Sequence, residues 1–205
     1  MSETSAHAAP VQLPQSMPEI RTPRLRLRPL EPGDDAALLG ILGDAQAMRY
    51  WSTAPLTEIA QARDVRIRAL RRFEDERSMK FGITLPAADG EGALLIGTCD
   101  LFRIDVGNRR AEIGYVLARS HWKRGYALEA LTALIDHAFT ELRLQRIEAD
   151  VHPGNEASCR ALERLGFRRE GLLRERWHVG TEVSDSVIFG LLAREWVRGG
   201  VTGQR

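Results

Sequence analysis

The chain has 205 residues, 43% of them hydrophobic and 28% charged, with a net charge of +1. That length suits one medium domain around a single buried core, and a charge near zero supplies no global field to draw nucleic acid or an acidic membrane. Cys99 and Cys159 are too few for a disulfide framework and stand in no metal-ligand spacing, which points to a reducing cytoplasm.

Met1 to Glu19 is rich in Ala, Pro, Ser and Gln. It lacks the charged start and apolar run of a secretory signal, and nowhere is an apolar run long enough to span a membrane. Residues 1–20 therefore read as a disordered tail, 21–198 as one domain and 199–205 as a flexible end. The basic clusters Arg21 to Arg28, Arg63 to Arg72 and Arg168 to Arg176 are interrupted by apolar residues, as on the solvated face of a strand or helix.

Arg24 to Arg28 alternates polar and apolar with period two, which predicts a half-buried strand. Pro29 and Pro32-Gly33 break it, and Asp34 is placed to cap a helix carrying Ala37, Leu38, Ile41 and Leu42 up to Gly43. A second helix is expected from Thr57 to about Glu76, with Ile59, Ala62, Val65, Ala69, Leu70 and Phe73 on its inner face. Lys80 to Leu85 and Ala93 to Ile104 read as strands joined by a turn over 87–92. After Gly107-Asn108, Ala111 to Leu117 reads as a central apolar strand.

Ala127 to Leu142 has helical spacing, Arg146 to Val151 is a short strand, and Asn155 to Leu165 is a helix that Gly166 ends. Two strands, about Arg168 to Trp177 and Ser184 to Leu191, flank the turn at Gly180. The order βααβββαβαββ predicts an α/β fold with a mixed, mostly antiparallel sheet of about seven strands and helices on both faces.

The segment Trp122-Lys123-Arg124-Gly125-Tyr126-Ala127 joins the central strand to a helix. Gly125 lets the backbone approach a ligand, Ala127 leaves the first turn uncluttered, and free N–H groups with the helix dipole welcome an anion. Lys123 and Arg124 add charge. This segment resembles the acyl-CoA-binding motif of the GNAT superfamily of N-acetyltransferases, Gln/Arg-x-x-Gly-x-Gly/Ala after a strand. Gly125 and Ala127 fill the small positions. Trp122 departs from Gln or Arg and is similar to the Trp-x-x-Gly-Tyr-Ala form of the ribosomal-protein-alanine branch.

Asn155-Glu156-Ala157-Ser158, with Ala161 to Gly171 following, resembles the superfamily's Asn-x-x-Ser…Glu-Lys-Leu-Gly-Phe-x-x-Glu-Gly block. The likeness runs from about Arg21 to Trp196. It implies acetyl-CoA as co-substrate with no metal, the pyrophosphate on residues 122–127 and a pantetheine hydrogen bond from Asn155. It also implies a strand splayed from its neighbour, with Val116 and Leu117 offering backbone amides to the thioester. His121, His137, His152 and His178 have no spacing that suggests zinc ligation.

Glu112 is the candidate base. It shares a strand face with Gly114 and Val116, and a carboxylate among apolar neighbours is shifted toward proton transfer near neutrality. The other reading pairs it with Arg110 or Arg146 as structural support. Ser158 is the candidate acid at the departing thiol, or else a cap for free N–H groups of its helix. Tyr115 points away from Glu112, and Cys159 reads as a small core residue.

The amine site is expected between Tyr50-Trp51 and the last hairpin, with Glu175 and Trp177. The alternative is that these aromatics cap the core. The acceptor implied by the branch is the α-amino group of a protein N-terminus, ribosomal or other. A small-molecule amine is the alternative within the class, and a non-catalytic acyl-CoA sensor the alternative outside it. The protein is expected as a monomer or homodimer.

Overall fold

A computed structural model describes residues 11, 13–75, 78–86 and 92–197. The strands are β1 (Ile20–Arg21), β2 (Arg26–Pro29), β3 (Met79–Pro86), β4 (Ala93–Asp105), β5 (Arg110–Leu117), β6 (Arg146–Val151), β7 (Arg168–Val179) and β8 (Glu182–Leu192). The helices are α1 (Asp35–Leu42), α2 (Ile59–Asp75), α3 (Tyr126–Thr140) and α4 (Glu156–Arg164). The expected turn over 87–92 lies outside the described residues except for Gly92, as do 1–10, 12 and 198–205.

The strands form one sheet in the order β1-β2-β3-β4-β5-β6-β8-β7. Every pairing is antiparallel except β5 with β6. The α3 segment forms the crossover between those two parallel strands, as such a pairing requires. The eighth strand is the short β1, which begins at Ile20, the last residue expected as tail.

That expectation needs correction for residues 13–20. Leu13, Met17 and Ile20 rest against the main core, and Ile20 pairs with Leu27. A Pro- and Gln-rich segment orders here because its few apolar side chains find a tertiary surface that composition does not reveal.

Strand alternation sorts the sheet into two faces. One carries Phe81, Leu101, Ile113, Ile147 and Phe189 against Leu131, Leu134 and Ile135 of α3 and Leu162 of α4. Across the opposite face, α1 packs Leu38, Ile41 and Leu42 with Leu30, Leu95 and Val116. The inner face expected for α2 is only partly realised. Ala62 is its one buried residue, while Ile59 and Leu70 are each 43% exposed. An ion pair from Arg66 Nε to Asp35 Oδ1 at 2.7 Å ties α2 to α1 in place of a wide apolar seam.

Gly166 (φ 88°) ends α4 as expected. Its N–H bonds the Glu163 carbonyl, and the Phe167 N–H bonds the Leu162 carbonyl, both at 3.0 Å. This left-handed C-terminal turn sends the chain directly into β7.

Candidate active site

The site begins where two parallel strands part. β5 and β6 pair at Arg110–Arg146, Ala111–Ile147 and Glu112–Glu148, and no further. β5 continues to Leu117 with its other edge on β4, so beyond Glu112 its free edge faces an opening wedge.

Which backbone groups line that wedge follows from the register. Ala118 N–H bonds the Ile96 carbonyl at 2.8 Å, and hydrogen-bonded pairs alternate along an antiparallel ladder. Val116 and Gly114 therefore turn their peptide groups toward β4, while Leu117, Tyr115 and Ile113 turn theirs to the wedge. Of the two amides expected there, that of Leu117 faces the wedge and that of Val116 faces β4. The Tyr115 amide faces the wedge as well, and Val116 packs its side chain against α1.

Past β5 a 3-10 turn (Arg119–His121) leads to the turn at 122–127, the one expected to hold the pyrophosphate. Lys123 (φ 60°) and Gly125 (φ 81°) are both left-handed, a curl that gathers N–H groups into one concavity. Glu129 N–H bonding the Gly125 carbonyl at 3.1 Å is the first helical bond of α3, and no side chain caps this terminus. The amides of Tyr126, Ala127 and Leu128 are left open at the positive end of the dipole, which fits a pyrophosphate. Lys123 and Arg124 are exposed beside them. The Trp122 indole N–H bonds the Leu117 carbonyl at 2.8 Å, so the residue that departs from the usual motif braces the turn against the end of β5.

Arg24 is a member of this site that sequence reasoning missed. Its Nη1 donates to the Arg124 carbonyl at 3.0 Å and its Nε to Glu129 Oε2 at 2.6 Å. Its guanidinium also lies 4.7 Å from the centre of the Tyr126 ring. In the sequence Arg24 was one arginine of an alternating strand, with nothing local to mark it.

Across the wedge, α4 is capped by the Asn155 side chain, whose Oδ1 accepts from Ser158 N–H at 3.2 Å. The amide Nδ2 remains as a donor, which suits a pantetheine carbonyl. The capping considered for Ser158 thus belongs to Asn155. Ser158 Oγ instead lies 3.1 Å from Tyr115 Oη, and burial pushes the Tyr115 phenol up, with the Ser158 hydrogen bond opposing.

Glu112 lies opposite Phe102 of β4 and carries a cationic partner. Arg103 Nη1 reaches both its oxygens, at 2.9 and 3.1 Å, and this partner is neither Arg110 nor Arg146. Those two bind Glu148, at 2.9 and 2.7 Å. Arg103 sits at a left-handed φ of 49° in the register shift of β4 between Phe102 and Asp105, which is how it reaches Glu112.

The four residues expected around the amine are only partly gathered. Tyr50 stacks near His152, ring centres 4.9 Å apart, beside the loop entering α4. Trp177 donates its indole N–H to Asp150 Oδ1 at 3.0 Å. Trp51 packs on the α1 cluster. Glu175 is exposed at a bulge of β7, its N–H bonded to Asp185 Oδ1 at 2.8 Å.

A free-edged parallel wedge ending at an uncapped helix terminus is a site for an extended anionic thioester. The sequence profile of the "Acetyltransferase (GNAT) domain" matches residues 24–168. The chain belongs to the GNAT acetyltransferases. It is 40% identical over 181 residues to "Uncharacterized N-acetyltransferase p20" of Bacillus licheniformis, covering 88% of this chain and 99% of that protein. It is 36% identical over 126 residues to "Putative ribosomal N-acetyltransferase YdaF" of Bacillus subtilis (strain 168), covering 62% and 66%. The crystal structure of spermidine N-acetyltransferase from Vibrio cholerae in complex with CoA and spermine superposes with a TM-score of 0.73 at 25% identity, covering 85% of this chain and 98% of that one.

This GNAT protein is an acetyl-CoA-dependent N-acetyltransferase, which sets aside the non-catalytic sensor. Among its described residues no helix is long and apolar enough to cross a membrane, and no group of three or more His, Cys, Asp or Glu side chains is arranged to hold a metal.

Proposed function

We propose that this enzyme acetylates the α-amino group of a protein N-terminus, with Glu112 accepting the amine proton through a water and Ser158 acting at the departing thiol. One observation carries the acceptor reading. Four carboxylates on the Glu112 side of the sheet are already matched: Glu112 by Arg103, Glu148 by Arg110 and Arg146, Asp150 by Arg176 and Trp177, Glu170 by Arg146. A polyamine gains its affinity from unpaired carboxylates, whereas a peptide brings one amine and an otherwise neutral backbone that a mixed, ion-paired surface accepts. Similarity to a protein named as a ribosomal N-acetyltransferase agrees with this.

Alignment is the largest share of the rate, since holding amine and thioester together makes the reaction internal. In this reading Leu117 and Tyr115 amides polarise the thioester carbonyl, as preorganised donors do elsewhere. The two cysteines are free and buried, in keeping with a cytoplasmic setting.

The test is release of coenzyme A from acetyl-CoA with a panel of peptides of varied N-terminal residues, set against spermidine and other small amines. The expected result is a kcat/KM for at least one unblocked peptide above that of every small amine, abolished by blocking its α-amine. Spermidine or another small amine outperforming all peptides would reverse the reading.

A further inference from the structure

Tyr115 stands three residues past Glu112, in the part of β5 that has left β6. By alternation its side chain projects on the face opposite Glu112, and there the phenol reaches α4. The Oη–Oγ contact of 3.1 Å with Ser158 is thus a link between the two walls of the wedge, β5 on one side and the first turn of α4 on the other.

The hydrogen-bond pattern around Ser158 leaves one proton to be used. Its N–H is taken by Asn155 Oδ1, and its Oγ accepts from the Tyr115 hydroxyl. A hydroxyl that accepts a bond from one side is fixed in rotation and becomes a better donor on the other. The phenol is a lasting source of that bond, because burial disfavours its anion. Cys159 follows Ser158 but is buried in the core and does not compete for the wedge.

We propose that Tyr115 is a positioning residue that acts through Ser158, its hydroxyl holding Ser158 Oγ so that the serine proton is presented to the thiol sulfur of coenzyme A. The inference rests on Ser158 acting at that sulfur. No bond is made or broken at Tyr115 and its proton stays in place. It fixes the direction and raises the donor strength of a hydroxyl that by itself would rotate freely and make a weak acid.

The test needs no amine acceptor. The thiol of enzyme-bound coenzyme A is titrated by its ultraviolet thiolate absorbance in the wild type, Tyr115→Phe, Ser158→Ala and the double variant. A donated hydrogen bond stabilises the thiolate, so Tyr115→Phe is expected to raise the titration midpoint by about half to one pH unit, the equivalent of one net hydrogen bond. Ser158→Ala is expected to raise it at least as far, and the double variant no further than Ser158→Ala alone. Coenzyme A affinity should stay within about twofold throughout, since the lost interaction is net worth little in the thiol form.

An unmoved midpoint in Ser158→Ala removes Ser158 from the sulfur and takes the inference with it. A moved midpoint in Ser158→Ala with none in Tyr115→Phe overturns the role of Tyr115 alone. A double variant displaced beyond Ser158→Ala shows that Tyr115 acts independently, and a Tyr115→Phe chain that no longer folds or binds coenzyme A shows a structural role. Each of these also overturns it.

Discussion

Arg24 and Glu129 meet at 2.6 Å although 105 residues separate them, and the same guanidinium holds the Arg124 carbonyl at 3.0 Å. The beginning of the domain therefore clamps the phosphate turn from behind, while the amides of α3 stay open in front. Thr22 Oγ1 and the Arg24 backbone N–H complete the cradle around Glu129, at 2.6 and 2.9 Å.

Removing this clamp should loosen the turn more than the fold. Arg24→Ala is expected to weaken coenzyme A binding by about five- to tenfold, the scale of one charge-assisted hydrogen bond. Glu129→Gln should act in the same direction, and the double variant should fall well short of the product of the two. Calorimetric titration of coenzyme A reads all three, and full additivity would show that the two side chains work separately.

The same cradle makes a pH prediction. Burial pushes the Glu129 carboxyl up, but the bonds from Thr22 and Arg24 outweigh it and hold it below the ordinary value of 4.5. A depressed carboxylate contributes stability that is fully present above its unfolded value and is lost as the pH falls through the folded one. The difference in melting temperature between wild type and Glu129→Gln should be constant above pH 4.5 and close progressively below it. A difference that grows on acidification contradicts the assignment.

Gly125→Asp addresses the turn directly. At φ 81° a side chain is strained, and its Cβ would stand 3.3 Å from Arg24 Nη2, with a carboxylate then facing the phosphate. Coenzyme A affinity is expected to fall by more than about tenfold, from strain of about 1–2 kcal/mol together with like-charge repulsion. Melting should remain cooperative, because Gly125 is exposed. Retained affinity would move the pyrophosphate elsewhere.

Asn155 caps α4, and we propose that it also donates to the pantetheine arm; one substitution separates the two roles. Asn155→Asp keeps an oxygen to cap α4 and loses the Nδ2 donor, so it should preserve the melting temperature while raising the KM for acetyl-CoA several-fold. Asn155→Ala should also lose the cap, which costs about 1 kcal/mol. Equal KM values in wild type and Asn155→Asp would confine the residue to capping.

For the base, Glu112→Gln is expected to lower kcat and flatten the acidic limb of the pH–rate curve, with coenzyme A affinity unchanged. Its ion pair with Arg103 supplies the companion test. Were Glu112 only the partner of Arg103, Glu112→Gln would lower the melting temperature and leave the curve alone.

Much of this enzyme was legible because its recognition lies in contiguous stretches. Trp122 to Ala127 and Asn155 to Gly171 each encode a complete local object, a left-handed turn into an uncapped helix start and a capped helix with its glycine stop, through φ preference and first-turn hydrogen bonding. Periodicity likewise placed the long strands and α1, α3 and α4, because burying one face is a demand that each element meets through its own spacing.

What the tertiary structure alone decided depends on partners distant in the chain. Whether Val116 or Tyr115 offers its amide to the wedge follows from which edge of β5 the β4 ladder occupies, and alternation within one strand is silent on that. Glu112 found Arg103 through a bulge in the neighbouring strand, Leu13 to Ile20 found a core to lie on, and Tyr115 found Ser158 across a gap that opens only because two parallel strands diverge. Local backbone preference wrote the donor turn into the sequence; the groups that clamp it from behind, and those that stand across the wedge from it, were brought there by the sheet.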